Sequence, residues 1–189
     1  FVWPGSPGGA RRAAGVTGVY PAQAAFLAAR PGPALTLDFE GIAAGTLLPE
    51  GVPVEGITPM HDLPAGLELA VVAHFDTTSG ANALGVEDPG NFDQLIDGDA
   101  LDFLFDVPVL AFGLYLVSGD PLLAGDAVLE TAAGNAPNAA AADQLLPDGG
   151  LAYFLGLVST DPFDAAFLRF DGGDDFLFNL DDLTRSEVP

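Results

Sequence analysis

The stretch Leu151–Leu183, LAYFLGLVSTDPFDAAFLRFDGGDDFLFNLDDL, decides the fold. It contains three apolar segments separated by clusters of Asp, Gly and Pro, and in the second and third segments every other residue is apolar. A period of two places these residues on one face of a β-strand, which is typical of an antiparallel sheet with one buried face. The sequence therefore predicts three strands, Leu151–Val158, Ala165–Phe170 and Asp175–Leu180, joined by two acidic turns.

The same kind of pattern continues through the rest of the body, residues 34–189. Leu101–Phe105 alternates, with Asp102 predicted to face outward, and Val109–Val117 is apolar on both faces, as expected for a central strand. About nine to eleven short strands at this spacing are typical of sandwiches. The sequence thus predicts an all-β fold, an antiparallel two-sheet β-sandwich of jelly-roll type that carries an N-terminal extension.

Residues 1–33 form that extension, and their composition differs from that of the body. They are rich in Gly, Pro and Ala, and the first thirty contain no acidic side chain. Pro21–Arg30 has the signals of a short helix, with Pro in its first turn and Pro31 and Gly32 after its end. An extended Val16–Ala28, with alternating apolar residues on one face, is the alternative.

Charge is distributed very unevenly along the chain. The net charge is −22, from 5 basic and 27 acidic residues, yet residues 1–30 carry three arginines and no acid. A basic segment next to an acidic body favours head-to-tail contact between copies. We therefore expect the extension to be a contact segment between subunits. The residues predicted to make this contact are Arg11, Arg12, Val16, Tyr20, Phe26 and Arg30.

The acidity also argues against several classes of partner. An acidic body repels the phosphate backbone of nucleic acids and the surface of anionic lipid. The longest apolar run, Val107–Val117, is too short for a membrane-spanning helix and contains Pro108. Solubility, a saline habitat, cation binding and attraction to the basic extension are alternative reasons for the acidity itself.

No motif in the chain specifies a reaction. The chain has no Cys, and His61 and His74 are its two imidazoles, so a thiol nucleophile and a zinc site of clustered Cys or His are excluded. No Ser lies in a G-x-S-x-G motif, and the many carboxylates single out no pair for glycoside hydrolysis. The sequence therefore predicts a protein that is not an enzyme.

Calcium is the ligand best matched to so many carboxylates, because it takes six to eight oxygen ligands. Acidic residues cluster at Asp38 and Glu40, at 171–175, and at Asp181 and Asp182. The first and last strands of a jelly roll often lie near each other. We therefore expect Asp38, Glu40, Asp181 and Asp182 to converge and to bind a structural Ca²⁺; the alternative is that these acids are solvated turn residues.

Six short motifs follow one another along the body. Each is weak alone, and their order carries the information. They are Leu37–Gly41 with Gly45 and Thr46, Val54–Thr58, Ala81–Gly85, Pro108–Tyr115, Phe154–Leu157 and Phe178–Leu183.

This order over residues 34–189 resembles that of exported bacterial PEP-CTERM proteins. The resemblance implies a lectin-like β-sandwich and a C-terminal sorting signal that opens with Val-Pro-Glu-Pro. The sequence given ends at Val188 and Pro189, where such a signal would begin, and it lacks the Glu-Pro, hydrophobic helix and basic cluster that would follow. The resemblance therefore implies an extracellular or cell-surface protein whose sorting signal has been removed, with no membrane segment in the mature chain.

Two functions follow as expectations. The first is an extracellular structural subunit that assembles head-to-tail into a filament or matrix through residues 1–33. The second is a calcium-dependent carbohydrate-binding module of the cell surface or matrix, with extracellular polysaccharide as its partner. The sequence shows no evident aromatic platform for a sugar, since Tyr115 and Tyr153 fall in predicted core strands.

Overall fold

The structure is a computed structural model that describes residues 15–170 and 176–188. Its described elements are almost all β-strands, and the strand pairs are antiparallel. The prediction of an all-β antiparallel fold is therefore confirmed. The elements are β1 (Val16–Tyr20), α1 (Gln23–Ala29), β2 (Leu35–Leu37), β3 (Leu47–Leu48), β4 (Ile57–His61), β5 (Leu69–Val72), β6 (Ala83–Val86), a 3-10 turn (Pro89–Asn91), β7 (Leu95–Ile96), β8 (Leu101–Ser118), β9 (Ala127–Thr131), β10 (Gly134–Pro137), β11 (Gln144–Leu145), β12 (Leu151–Phe170) and β13 (Leu177–Glu187).

Two of these strands are far longer than the sequence predicted. β8 has 18 residues and β12 has 20. β12 passes through a cluster that the sequence predicts to be a turn, and β8 joins Leu101–Phe105 and Val109–Val117, which the sequence predicts as separate segments. The pairing of β12 with β8 shifts register between Val158 and Phe163 and again before Ala165. Such bulges bend a strand without ending it. The predicted acidic turn between Val158 and Ala165 is therefore wrong, and a bend within one strand takes its place.

The bends divide the strands into two layers that share one hydrogen-bonded network. In the short layer, residues 101–105 of β8 pair with β4 on one side and with the end of β12 on the other. The end of β12 also pairs with β9, and β9 pairs with β10. In the long layer, the second part of β8 lies between the start of β12 and β13. β13 continues through β6 and β5 to β3. The arrangement is sandwich-like, but β8 and β12 belong to both layers.

The main core lies between the two layers. Phe103 from the short layer and Phe112 from the long layer have ring centroids 5.6 Å apart, and Phe105 lies 4.9 Å from Phe112. The alternation predicted for Leu101–Phe105 is confirmed, because Leu101, Phe103 and Phe105 are all buried in this cluster. Asp102 points away from it and pairs with Arg169 at 2.6 Å.

The described part of the extension, residues 15–33, packs on its own body. β1 pairs with β12, with Val16 opposite Ser159 and Tyr20 opposite Gly156. α1 follows directly, so the predicted helix is confirmed and the extended alternative is right for β1 alone. The described part of the extension is therefore hydrogen-bonded to the sheet of the body.

A second, smaller core lies on the outer face of the long layer, where α1 covers the sheet. Phe26 is 0% exposed, and its ring lies 5.3 Å from that of Phe154. Gly113 and Gly156 are paired across β8 and β12, and a Cβ on either would come within 2.6 Å of a ring atom of Phe154. The two glycines make room on the sheet face for Phe154, on which Phe26 packs.

No helix within the described ranges, 15–170 and 176–188, has the length and apolar composition needed to cross a bilayer.

Candidate functional site

The carboxylate of Asp181 is the centre of a polar network on the outer face of the long layer. It is 0% exposed and lies opposite Tyr115 in the pairing of β13 with β8. Backbone N–H groups of Thr78 and Ser79 donate to its Oδ2 at 2.9 and 3.0 Å, and the hydroxyls of both residues donate as well. Burial raises the pKa of Asp181, while these hydrogen bonds act in the opposite direction. Asp181 thus anchors residues 76–82, which we call the 76–82 loop.

Asp182 extends this network to the N-terminal segment. Its Oδ2 accepts hydrogen bonds from the hydroxyl of Thr78 and, at 3.4 Å, from the side chain of Gln23 in α1. Burial, followed by repulsion from the Asp181 carboxylate, raises the pKa of Asp182 to about 6. Its φ of +50° lies in the left-handed region, beside a register shift between Asp181 and Thr184. The bulge turns two successive carboxylates towards neighbouring elements.

Asp143 links α1 to the sheet on the same face. Its Oδ2 accepts hydrogen bonds from the backbone N–H of Gln23 at 3.2 Å and from the hydroxyl of Tyr115 at 2.5 Å. The first bond satisfies an N–H at the start of α1, which has no side-chain cap of its own. Burial and then the bond to Asp143 raise the pKa of Tyr115. Residues 15–33, which we call the arm, are therefore joined to the sheet by polar contacts as well as by Phe26.

The four residues predicted to bind calcium all contact the 76–82 loop. Glu40 accepts hydrogen bonds from the N–H groups of Ala81 and Asn82, both at 2.7 Å, and the backbone carbonyl of Asp38 accepts one from Ser79. The carboxylates of Glu40, Asp181 and Asp182 thus accept hydrogen bonds from donors of the loop, whereas the Asp38 carboxylate accepts one from the backbone N–H of Glu40. No group of three or more Asp, Glu or His side chains that could hold an ion occurs within the described part of the chain. In this arrangement donors of the 76–82 loop bind the carboxylate oxygens of Glu40, Asp181 and Asp182.

Calcium binding stays a prediction, and a melting experiment tests it. If Ca²⁺ binds Asp38, Glu40, Asp181 and Asp182 in place of these donors, EDTA should lower the melting temperature and Ca²⁺ should restore it. An ion that binds the folded state at 100 times its dissociation constant stabilises that state by about 2.7 kcal/mol. Na⁺ at equal ionic strength is the control. A melting curve unaffected by EDTA would show that the 76–82 loop links the segments of Asp38 and Asp181 without an ion.

The residues predicted to contact a second copy have different outcomes. Phe26 is buried against its own chain, and Tyr20 packs beside it with ring centroids 6.4 Å apart. The guanidinium of Arg30 donates to the backbone carbonyl of Gly32, and the backbone of Val16 pairs with β12. In this arrangement Phe26 is not available to a neighbour. Arg11 and Arg12, like the acidic cluster 171–175, lie outside the described residues.

A cavity opens at the far end of the same sheet face, away from α1. Its volume is about 270 Å³. Val117 and Asn179, which are paired across β8 and β13, contribute to its floor together with Leu177. Pockets for drug-sized ligands span about 300–1,000 Å³, so this cavity suits one small polar unit. The lining residues are Phe75, Gln94, Val117, Ser118, Gly119, Asp120, Asp148, Gly149, Gly150, Leu177 and Asn179.

The rim of this cavity is fixed by a reciprocal pair of hydrogen bonds. The N–H of Asp76 donates to the carboxylate of Asp148 at 3.0 Å, and the N–H of Asp148 donates to the carboxylate of Asp76 at 2.9 Å. Asp148 also accepts a hydrogen bond from Gly150 at 2.8 Å. The loop that carries Phe75 is therefore tied to the loop before β12, and the cavity walls are held in place without a ligand.

Phe75 is the side chain that sequence reasoning missed. It is 40% exposed although it is a large apolar residue, and it lies beyond the end of β5 at Val72. The sequence predicts a strand over Leu67–Phe75, which would place Phe75 in the sheet and not in a loop. The polar residues that follow, from Asp76 to Asn82, were the available signal that Phe75 belongs to a loop.

The two histidines lie outside this cavity. His74 pairs with Asp93 at 2.7 Å and is exposed, while Nδ1 of His61 accepts a hydrogen bond from the N–H of Leu63.

No protein-family model matches the chain, and no curated protein matches it either. The resemblance to exported PEP-CTERM proteins therefore stays an expectation that rests on the six motifs.

Proposed function

We propose that this protein is a non-enzymatic, extracellular carbohydrate-binding module that holds a sugar in the cavity beside Phe75. The observation that carries the proposal is an exposed phenyl ring next to amide and carboxylate groups in one preformed cavity. A pyranose ring has an apolar face of C–H groups and a rim of hydroxyls. Phe75 would stack on the apolar face, while carboxylates and amides accept and donate hydrogen bonds at the rim.

The rigidity of the cavity supports the same function. The reciprocal bonds between Asp76 and Asp148 hold the walls, and Asn179 donates to the backbone carbonyl of Asp93 at 3.4 Å. A preformed site lowers the entropy lost on binding. Single sugars bind weakly, so their affinity depends on a small loss of entropy, which a fixed cavity provides.

The other expected function, a self-assembling subunit, has less support. It rests on a basic extension beside an acidic body, and Phe26, one of the residues expected to contact a second copy, is buried on its own sheet. Assembly through Arg11 and Arg12 stays a prediction from the sequence. The cavity therefore carries the proposal.

Replacing Phe75 tests it directly. A glycan array, run with and without calcium, should first identify a bound sugar, and calorimetry should then compare wild type with Phe75→Ala. We expect Phe75→Ala to weaken binding by about tenfold or more, because removing a large aromatic contact costs about 1.5–3 kcal/mol.

Phe92→Ala is the matched control. Phe92 is 65% exposed and lies outside the cavity lining. The Phe92→Ala protein should therefore bind the sugar as tightly as wild type. An array without any bound glycan, or a Phe75→Ala protein that binds as tightly as wild type, would refute the proposed function.

A further inference from the structure

A second cavity adjoins the first and shares two residues with it. Its volume is about 390 Å³, and Ile96, Asp97, Asp120, Phe176 and Leu177 line it. Asp120 and Leu177 also line the cavity beside Phe75. The two cavities therefore form one groove, with Asp120 at the point where they meet.

The groove is strongly acidic along its length. Asp148 lines the first cavity, Asp97 lines the second, and Asp120 lies between them. No Arg or His is among the described residues that line either cavity, and the chain has no Lys. Asp120 itself is exposed, and its carboxylate accepts no hydrogen bond from another residue within the described ranges. A ligand that spans both cavities therefore lies near the carboxylates of Asp148, Asp120 and Asp97.

The phenyl ring of Phe75 at one end of the groove, like the carboxylates, favours a positively charged ligand. The face of an aromatic ring attracts a cation. Phe75 is exposed in the first cavity. Carboxylates and an exposed ring together favour a ligand with ammonium groups, and they disfavour uronate or sulfate groups, which would be repelled.

We propose that the ligand is an amine-bearing oligosaccharide of at least two sugar units that spans both cavities, with an ammonium group paired to Asp120. This inference rests on the proposed function, since it names the class of sugar that the Phe75 cavity holds. One sugar stacks on Phe75, and the next passes over Leu177 towards Ile96, which is 39% exposed.

Calorimetry with defined trimers tests the inference. The probes are triglucosamine, its neutral counterpart tri-N-acetylglucosamine, and monomeric glucosamine. We expect triglucosamine to bind at least fivefold more tightly than the neutral trimer and at least tenfold more tightly than the monomer. Asp120→Asn should remove most of the preference for the amine, an effect of about five- to tenfold, because a charge-assisted contact is replaced by a neutral one.

Asp164→Asn is the matched control for charge. Asp164 is exposed and lines neither cavity, so this variant removes the same charge from the surface and should keep the amine preference. Equal binding of both trimers, or equal losses in Asp120→Asn and Asp164→Asn, would overturn the inference. If a neutral sugar still binds in a way that depends on Phe75, the proposed function survives that result; if no sugar binds at all, both fail.

Discussion

Phe26→Ala should lower the free energy of unfolding by about 3–5 kcal/mol, the usual cost of removing a buried phenyl group. Phe26 is 0% exposed and contacts Phe154 on the outer face of the long layer. The space for this ring pair exists because positions 113 and 156 are glycines, which have no side chain of their own to fill the cavity that the substitution leaves. Urea unfolding followed by circular dichroism measures the loss.

Leu27→Ala provides the control on the same helix. Leu27 is 37% exposed, and its replacement should change stability far less than that of Phe26. Limited proteolysis adds a second readout, because an undocked arm exposes the chain around Pro31 and Gly32. Equal effects of Phe26→Ala and Leu27→Ala in both measurements would show that Phe26 does not hold the arm on the sheet.

Acidification from pH 7 to pH 5 should stabilise the protein, and Asp182 is the main reason. Its pKa is about 6 in the folded chain and 3.8 ordinarily, so the folded state binds more protons than the unfolded state between these values. Stability is then highest below pH 4 for this group and falls as the pH rises through 6. A shift of about two pKa units corresponds to at most about 3 kcal/mol between pH 7 and the region below pH 4, and about half of this is gained between pH 7 and pH 5. Thermal melting in EDTA across this range measures it.

Other titratable groups lie near Asp182. The carboxylates of Asp181 and Asp38 repel the charged form of Asp182, and the hydroxyl of Tyr115 and the carboxylate of Asp143 lie on the same sheet face. Burial also raises the pKa of Asp181, so its contribution has the same sign.

Asp182→Asn isolates the effect of one carboxylate. Asn tolerates the left-handed backbone at this position, where φ is +50°, so the variant should fold. We expect it to be more stable than wild type at pH 7, by up to about 3 kcal/mol, and to show a flatter pH profile between pH 4 and pH 6. Asp164→Asn controls for the general loss of one negative charge. A wild-type protein that loses stability on acidification from pH 7 to pH 5 would contradict the prediction.

Local alternation in the sequence determined which faces are buried. Phe178 and Leu180 point into the main core, and Asn179 and Asp181 lie on the opposite face, as a period of two requires. Val109–Val117 is buried on both faces and lies between β12 and β13. The short helix α1 was also predictable, because Pro21 and Pro31 limit it on both sides. These features depend on neighbouring residues alone.

The paths of the long strands depended on tertiary structure. Clusters with Asp and Pro usually mark turns, yet β12 continues through residues 159–164 and β8 continues through Pro108. Each cluster falls where the strand passes from one layer to the other, and pairing on both sides of the bend keeps the strand continuous. Whether such a cluster bends or reverses the chain is decided by partners distant in sequence.

The site was decided in the same way. The sequence identified Asp38, Glu40, Asp181 and Asp182 as a group, and all four do meet one loop. That they meet N–H and O–H donors of residues 78–82 follows only from the packing of this loop on β13. The cavity beside Phe75 likewise joins segments from residues 75, 94, 118, 148 and 179. A contact between residues so far apart is set by how the two layers fold over each other, which no local pattern encodes.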